Sequence, residues 1–219
     1  MKLPVYSYTF LNTWDICPKQ AFHRYVIKDI KFTPTEATTW GNTVHDALDK
    51  RVGKGTPLPK DCEKFEIYAA AIAPLKPQTE NKVAIKRDGS PVSYYDDDVW
   101  FRGKADVVAE TGDRALFFDW KTGNSKYESP YELELHAMAY HAARPHLTRI
   151  TAHYVWLKDM RMGKPHDVSN VGETLECLQE KADEIEQMNR TGLWPTKQGP
   201  LCGWCPVLSC GFNKSKERR

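Results

Sequence analysis

The sequence predicts a mixed α/β domain, and three observations carry that expectation. Helical periodicity dominates both ends of the chain. The middle holds three short runs rich in β-branched and aromatic residues, joined by turn-forming residues. A fourth such run, RITAHYVWL (149–157), stands between two helical stretches. Helices, then strands, helix, strand, helix is an order that gives a sheet with helical cover.

Taken from the start, Ser7 can cap a helix carrying Phe10, Leu11 and Trp14, and Pro18 opens a second short turn reaching Phe22 and Tyr25. Residues 36–51 read as a helix with Trp40, Val44, Ala47 and Leu48 at helical spacing. The loop GKGTPLP separates it from a helix over 61–73, which ends at Pro74. Strands are expected at 81–87, 99–110 and 115–121, a helix from Pro130 to Ala143, and a strand at 149–157. A long amphipathic helix over 172–190 places Leu175, Leu178, Ala182, Ile185 and Met188 on one stripe. The closing stretch is rich in cysteine and proline, and the terminal KSKERR reads as a frayed, solvated tail.

Length and composition set the bounds. The 219 residues fit one domain, 41% are hydrophobic, and no apolar run approaches membrane-spanning length. The N-terminus MKLPVYSYTF lacks a signal-peptide pattern, so a soluble cytoplasmic protein without membrane contact is expected. A formal charge of +2 decides little about partners; a nucleic-acid partner would need a local basic patch.

The stretch FFDWKTG (117–123) drives an acid and an amine out of an apolar strand, two residues apart and on one side. The turn T111-G112-D113-R114 suits a two-residue hairpin loop with Gly first, pairing 111 with 114. Counting outward, Ala105, Val107 and Ala109 oppose Trp120, Phe118 and Leu116, while Lys104, Asp106 and Val108 oppose Lys121, Asp119 and Phe117. Asp106 and Asp119 are then cross-strand neighbours with Cβ atoms roughly 5 Å apart. Two like charges so placed call for a cation between them, and hard oxygen donors favour Mg²⁺ or Mn²⁺ over Zn²⁺. Such an ion polarises a phosphodiester and acidifies water, with Lys121 beside it to orient that water or steady the phosphate. An exposed hairpin with merely solvated acids is the bland alternative; the apolar FF before Asp119 and VV after Asp106 argue against it.

GKADVV (103–108) followed by FFDWKTG resembles the PD-(D/E)XK nuclease superfamily, with Asp119-Trp120-Lys121 as its D-x-K element. The N-terminal Ser7, Cys17, Pro18, Phe22, Tyr25 series and WGNTVHDALD (40–49) resemble the RecB/Cas4-like, AddB-type branch. The resemblance implies a restriction-endonuclease-like core with a mixed central sheet flanked by helices. It implies that His45, Asp106 and Asp119 bind the metal, assisted by the main-chain carbonyl of Trp120. The family's next helix usually carries a Gln-to-Tyr motif that positions DNA. Here that helix reads YELELHAMAYHAARP (131–145), so either Glu132 and His136 or His136 and Tyr140 take those places, and the glutamine is missing. Packing of Leu133, Ala137 and Tyr140 onto the sheet explains part of the pattern without DNA.

Six cysteines are present, and Cys202, Cys205 and Cys210 supply three thiols in one loop-rich stretch. A closed thiolate site wants four ligands. Cys62 and Cys177 fall in expected helices, Cys177 as a buried small hydrophobe between its leucine neighbours, which leaves Cys17 before Pro18. Spacing alone permits Zn²⁺. The resemblance implies a [4Fe-4S] cluster on Cys17, Cys202, Cys205 and Cys210 that joins the chain ends, with 1–30 and 194–212 forming one subregion of a single domain over 1–219. Trp194 and Trp204 are expected to cover it, or to stack on unpaired bases. Lys82, Lys86, Arg87, Arg102 and Lys104 are expected around the proposed site and are candidates to follow a phosphate backbone, although each taken singly reads as a solvated surface charge. The expectation is a Mg²⁺/Mn²⁺-dependent deoxyribonuclease, an exonuclease on single-stranded DNA ends, working alone or with a helicase or recombination factor. The competing readings are a catalytically silent DNA-binding module of a repair or spacer-processing complex, and a zinc-stapled interaction protein.

Overall fold

The computed structural model describes residues 1–125 and 128–214. The end of the KSKERR tail, residues 215–219, lies outside them. Two compact units are present, one made of Pro34–Glu176 and the other of Met1–Thr33 with Cys177–Arg219.

In the first unit the chain runs α3 (Glu36–Lys54), a 3-10 turn (Lys60–Phe65), α4 (Glu66–Ile72), β1 (Gln78–Ile85), β2 (Phe101–Thr111) and β3 (Arg114–Lys121). It continues with α5 (Tyr131–Ala142), β4 (Arg149–Trp156) and two short strands, β5 (Arg161–Met162) and β6 (His166–Asp167). β1, β2 and β3 are antiparallel neighbours, β3 and β4 are parallel, and β5 and β6 both pair antiparallel with β4. The parallel step needs a crossover, which α5 supplies. This is the mixed central sheet flanked by helices that the sequence predicts.

Helices cover both faces. Val44, Ala47, Leu48 and Val52 of α3, with Phe65, Ala69 and Ile72, pack on Val107, Phe118, Trp120, Val155 and Leu157. On the other face Phe117 meets Tyr140 of α5 edge-on, with ring centroids 5.2 Å apart, a contact that contributes about 1 kcal/mol beyond burial. α5 therefore buries nearly all of its circumference, Leu133, Leu135, Ala137, Met138 and Ala139 included.

Several expectations shift. α3 runs through Gly53 to Lys54 and stops at Gly55, whose left-handed φ of 72° lets its N–H and that of Thr56 cap the last turn. Trp40, expected on the buried stripe, is 38% exposed. The helix expected over 61–73 begins as a 3-10 turn, and β5 and β6 have no counterpart in the sequence reading.

The second unit contains α1 (Tyr8–Ile16), the short α2 (Pro18–Ala21) with a π turn through Val26, and most of α6 (Val171–Thr191). Ser7 caps α1 as expected, accepting from the Phe10 N–H. Cys17 sits in extended backbone between α1 and α2, where Pro18 starts the new helix. Leu178, Ala182 and Ile185 form the buried stripe of α6, and the expectation of a buried Cys177 fails. One residue turns a helix by about 100°, so the neighbour of buried Leu178 is carried to solvent. Trp194 is buried against Phe22, whereas Trp204 is 68% exposed.

Candidate active site

The hairpin register is the one read from the turn. Thr111 pairs with Arg114, and Glu110, Ala109, Val108 and Val107 pair with Ala115, Leu116, Phe117 and Phe118. Gly112 takes φ 61°, as the first loop position requires. The ladder ends one pair short of Asp106 and Asp119. There the Asp106 side chain takes over, with Oδ2 accepting the Trp120 N–H at 2.9 Å. The two acids thus end a ladder instead of facing each other within it.

His45, on α3, brings Nδ1 to 3.3 Å from the same Asp106 oxygen. Burial pulls the imidazole pKa down, but the hydrogen bond and charge of Asp106 outweigh it and the net shift is upward. Burial would likewise raise Asp106, yet His45 and the Trp120 N–H hold it below its ordinary value. Asp119 behaves differently. Burial lifts its carboxyl to about 7, Lys121 opposing the rise and the charges of Asp106 and Glu132 adding to it.

Lys121 Nζ lies 2.7 Å from Asp119 Oδ2 and 2.6 Å from Glu132 Oε2. Burial disfavours its charge, but the two carboxylates more than compensate and hold the ammonium protonated. The Asp119 contact is a close ion pair, its carboxylate oxygen buried against the ammonium. Glu132 also accepts a hydrogen bond from Lys121.

The expected residues therefore divide. His45, Asp106, Asp119 and Lys121 meet where the β2–β3 ladder stops, midway along β2 and at the C-terminal end of β3, and Glu132 joins them as the anchor of Lys121. His136 is buried one helical turn beyond Glu132, its pKa lowered by burial, and its ring packs on Gly103. Tyr140 is buried with its hydroxyl donated to Glu110, and the guanidinium of Arg144 lies 3.9 Å from its ring centroid. The close approach of His136 to Gly103 was missed in the sequence, although an interior strand glycine is the usual sign of one.

Among the described residues no group of three or more His, Cys, Asp or Glu side chains is arranged to hold a metal ion. The donor chemistry around Asp106 nevertheless suits a hard divalent cation: two buried carboxylates with an imidazole beside them. Cys17, Cys202, Cys205 and Cys210 all line one cavity of about 280 Å³, with Ile16, Pro200 and Phe212. Cys17 and Cys202 sulfurs each accept a main-chain N–H at 3.5 Å, from Lys197 and Gly199. Burial raises the Cys205 thiol, and the other three cysteines add to the rise. Four soft sulfur donors in one cavity suit an iron–sulfur cluster or Zn²⁺. Neither Trp194 nor Trp204 lines that cavity, so their expected covering role is not seen.

A family model of the PD-(D/E)XK nuclease superfamily matches residues 77–210, and the chain belongs to that superfamily. The matched span holds Asp106, Asp119, Lys121 and the three C-terminal cysteines, but not His45 or Cys17. A solved structure, "Crystal structure of SSO0001", is similar to 97% of this chain and 89% of its own, at 11% identity and a TM-score of 0.47. No curated protein sequence matches. Among the described residues no helix is long and apolar enough to cross a membrane.

Proposed function

We propose that this chain is a Mg²⁺- or Mn²⁺-dependent deoxyribonuclease of the RecB/Cas4-like, AddB-type branch, acting on DNA with an accessible single-stranded end. The observation that carries the reading is the buried acid pair at the end of the β2–β3 ladder, with Lys121 between Asp119 and Glu132. Asp106, Asp119 and His45 would hold the cation, assisted by the Trp120 carbonyl. When bound, the cation supplies Lewis-acid polarisation of the phosphodiester and an acidified water.

The chain's own residues do the rest. The Trp120 N–H and His45 fix one Asp106 oxygen in place. Glu132 holds the Lys121 ammonium, so the lysine stays charged and positioned when Asp119 turns to another partner. That ammonium then orients the attacking water and steadies charge on the phosphate.

We further propose a [4Fe-4S] cluster on Cys17, Cys202, Cys205 and Cys210, within a cluster subregion of residues 1–30 and 194–212. Their shared cavity and the two N–H contacts to sulfur support this reading. The cluster's role there is to cross-link the segment, and it takes no part in cleavage.

The test is a Mg²⁺ and Mn²⁺ titration on end-labelled single-stranded and duplex DNA. Wild type should cleave only with metal, and Asp119→Ala and Lys121→Ala should abolish cleavage while the fold survives. DNA binding without metal-dependent cleavage would favour a silent binding module, a reading that the altered Glu132 position supports.

A further inference from the structure

We propose that the β1–β2 hairpin carries a single-strand platform, in which an unpaired DNA base stacks on Tyr95 while Lys82 and Arg102 take the adjoining phosphates. The proposal rests on the nuclease reading and adds where the unpaired strand is held.

The β1–β2 register sets Lys82 opposite Lys104 and Ala84 opposite Arg102, so these three cations share one face of the hairpin. The connecting loop returns Tyr94 and Tyr95 over that face. Lys82 Nζ donates to the Tyr95 hydroxyl at 2.7 Å and lies 4.9 Å and 5.6 Å from the Tyr95 and Tyr94 ring centroids. The Arg102 guanidinium lies 5.3 Å from the Tyr94 centroid, and the two rings meet edge-on at 5.0 Å. Tyr95 nonetheless remains 72% exposed.

A single exposed tyrosine is ordinary on a protein surface. This one is tethered through its hydroxyl and braced by a second ring, so an incoming base meets a surface that loses little freedom on binding. Cations interleaved with an open aromatic ring are what single-stranded DNA recognises: the ring takes the base, the cations the backbone. Of the nearby acids, Glu80 pairs with Lys104 and Asp98 with Lys86, while the Asp96 carboxylate accepts only the Asp98 N–H and Asp97 is exposed. Lys82 and Arg102 instead contact rings and a phenol, which leaves their charge for phosphate. At about 3.4 Å per residue, Arg102 precedes Asp106 by about 14 Å along β2 and Lys104 by about 7 Å.

The measurement is fluorescence anisotropy of a labelled single strand of about 12 nucleotides with the full chain in EDTA, beside a duplex of the same sequence. Tyr95→Ala should weaken single-strand binding by about 5- to 150-fold, the loss of one stacked base, and leave duplex binding unchanged. Tyr95→Phe keeps the ring but loses the Lys82 tether and should bind more tightly than Tyr95→Ala and less tightly than wild type, whereas Lys82→Ala should weaken both probes. If wild type binds the single strand and Tyr95→Ala binds it equally well, the platform is wrong and the nuclease reading stands. Equal losses in Tyr95→Phe and Tyr95→Ala would also overturn stacking. If wild type binds no single strand and cleaves none with metal, both readings fall together.

Discussion

Adding a single methyl group at Gly103 tests how the fold sets the position of Lys121. An alanine Cβ there would lie 2.4 Å from Cδ2 and 2.7 Å from Nε2 of His136. Carbon atoms in good contact stand about 3.5–4.0 Å apart, so the ring would have to retreat by more than 1 Å, by about the difference of those distances. It has little room to do so, because His136 is 6% exposed and its α5 neighbours Leu135 and Ala137 are fully buried. Such overpacking costs about 1–3 kcal/mol, against a gain of about 0.5–1 kcal/mol for replacing a strand glycine by alanine. A net loss of about 1–2 kcal/mol follows, which at a urea slope of about 2–3 kcal/mol/M lowers the unfolding midpoint by about 0.5 M. Glu132 lies one turn from His136 on the same helix face, so displacing α5 also loosens the 2.6 Å hold on Lys121, and cleavage should slow. Urea unfolding in EDTA of Gly103→Ala, His136→Ala and the double variant isolates the contact, and the double variant should recover at least about 1 kcal/mol relative to additivity. A Gly103→Ala chain as stable as wild type, or singles that simply add, would refute the reasoning.

Other consequences are independent of that contact. Glu132→Ala leaves the buried Lys121 ammonium with one carboxylate in place of two and should destabilise the metal-free chain by about 1–3 kcal/mol; an unchanged urea midpoint contradicts the anchoring role. Glu128 accepts from His166 Nε2 at 2.8 Å and Trp156 Nε1 at 3.0 Å; burial alone would raise its pKa, but these partners hold it below the ordinary value. Its folded pKa is the lower one, so its stabilisation is present above about pH 4.3 and is lost as pH falls through the folded value. The stability difference between wild type and Glu128→Gln, followed by urea unfolding, should therefore be flat at higher pH and shrink below about pH 4; a difference that grows toward acid is the contrary result. Anaerobically purified chain should contain iron and sulfide, both lost together in Cys17→Ser, whereas zinc without iron would support the zinc-stapled alternative.

Much of the architecture was legible because local chemistry fixed it. The Gly112-Asp113 turn set the hairpin register, which holds from Thr111 and Arg114 as far as Val107 and Phe118, just before the two acids. The sequence could not show that the ladder stops at Val107 and Phe118, because that depends on a carboxylate replacing a main-chain acceptor. Glu132 stood out only as a departure from the family's glutamine. Its contact with Lys121 arises from the docking of α5 on the sheet, a long-range fact that no spacing encodes. Cys177 was misplaced because leucine neighbours in sequence are not neighbours on a helix surface, where one step moves a side chain by about 100°. Tyr94 and Tyr95 gave no signal, since loop residues reveal their partners only once the loop has closed over Lys82 and Arg102.

Calorimetric titration of Mn²⁺ into wild type, Asp106→Asn and Asp119→Asn addresses the shared-cation claim without relying on turnover. Wild type should take up the ion, and each variant should bind at least about tenfold more weakly, since each removes a charged donor. Undiminished Mn²⁺ binding in both variants would mean that the ion sits elsewhere and that the acid pair is not its site.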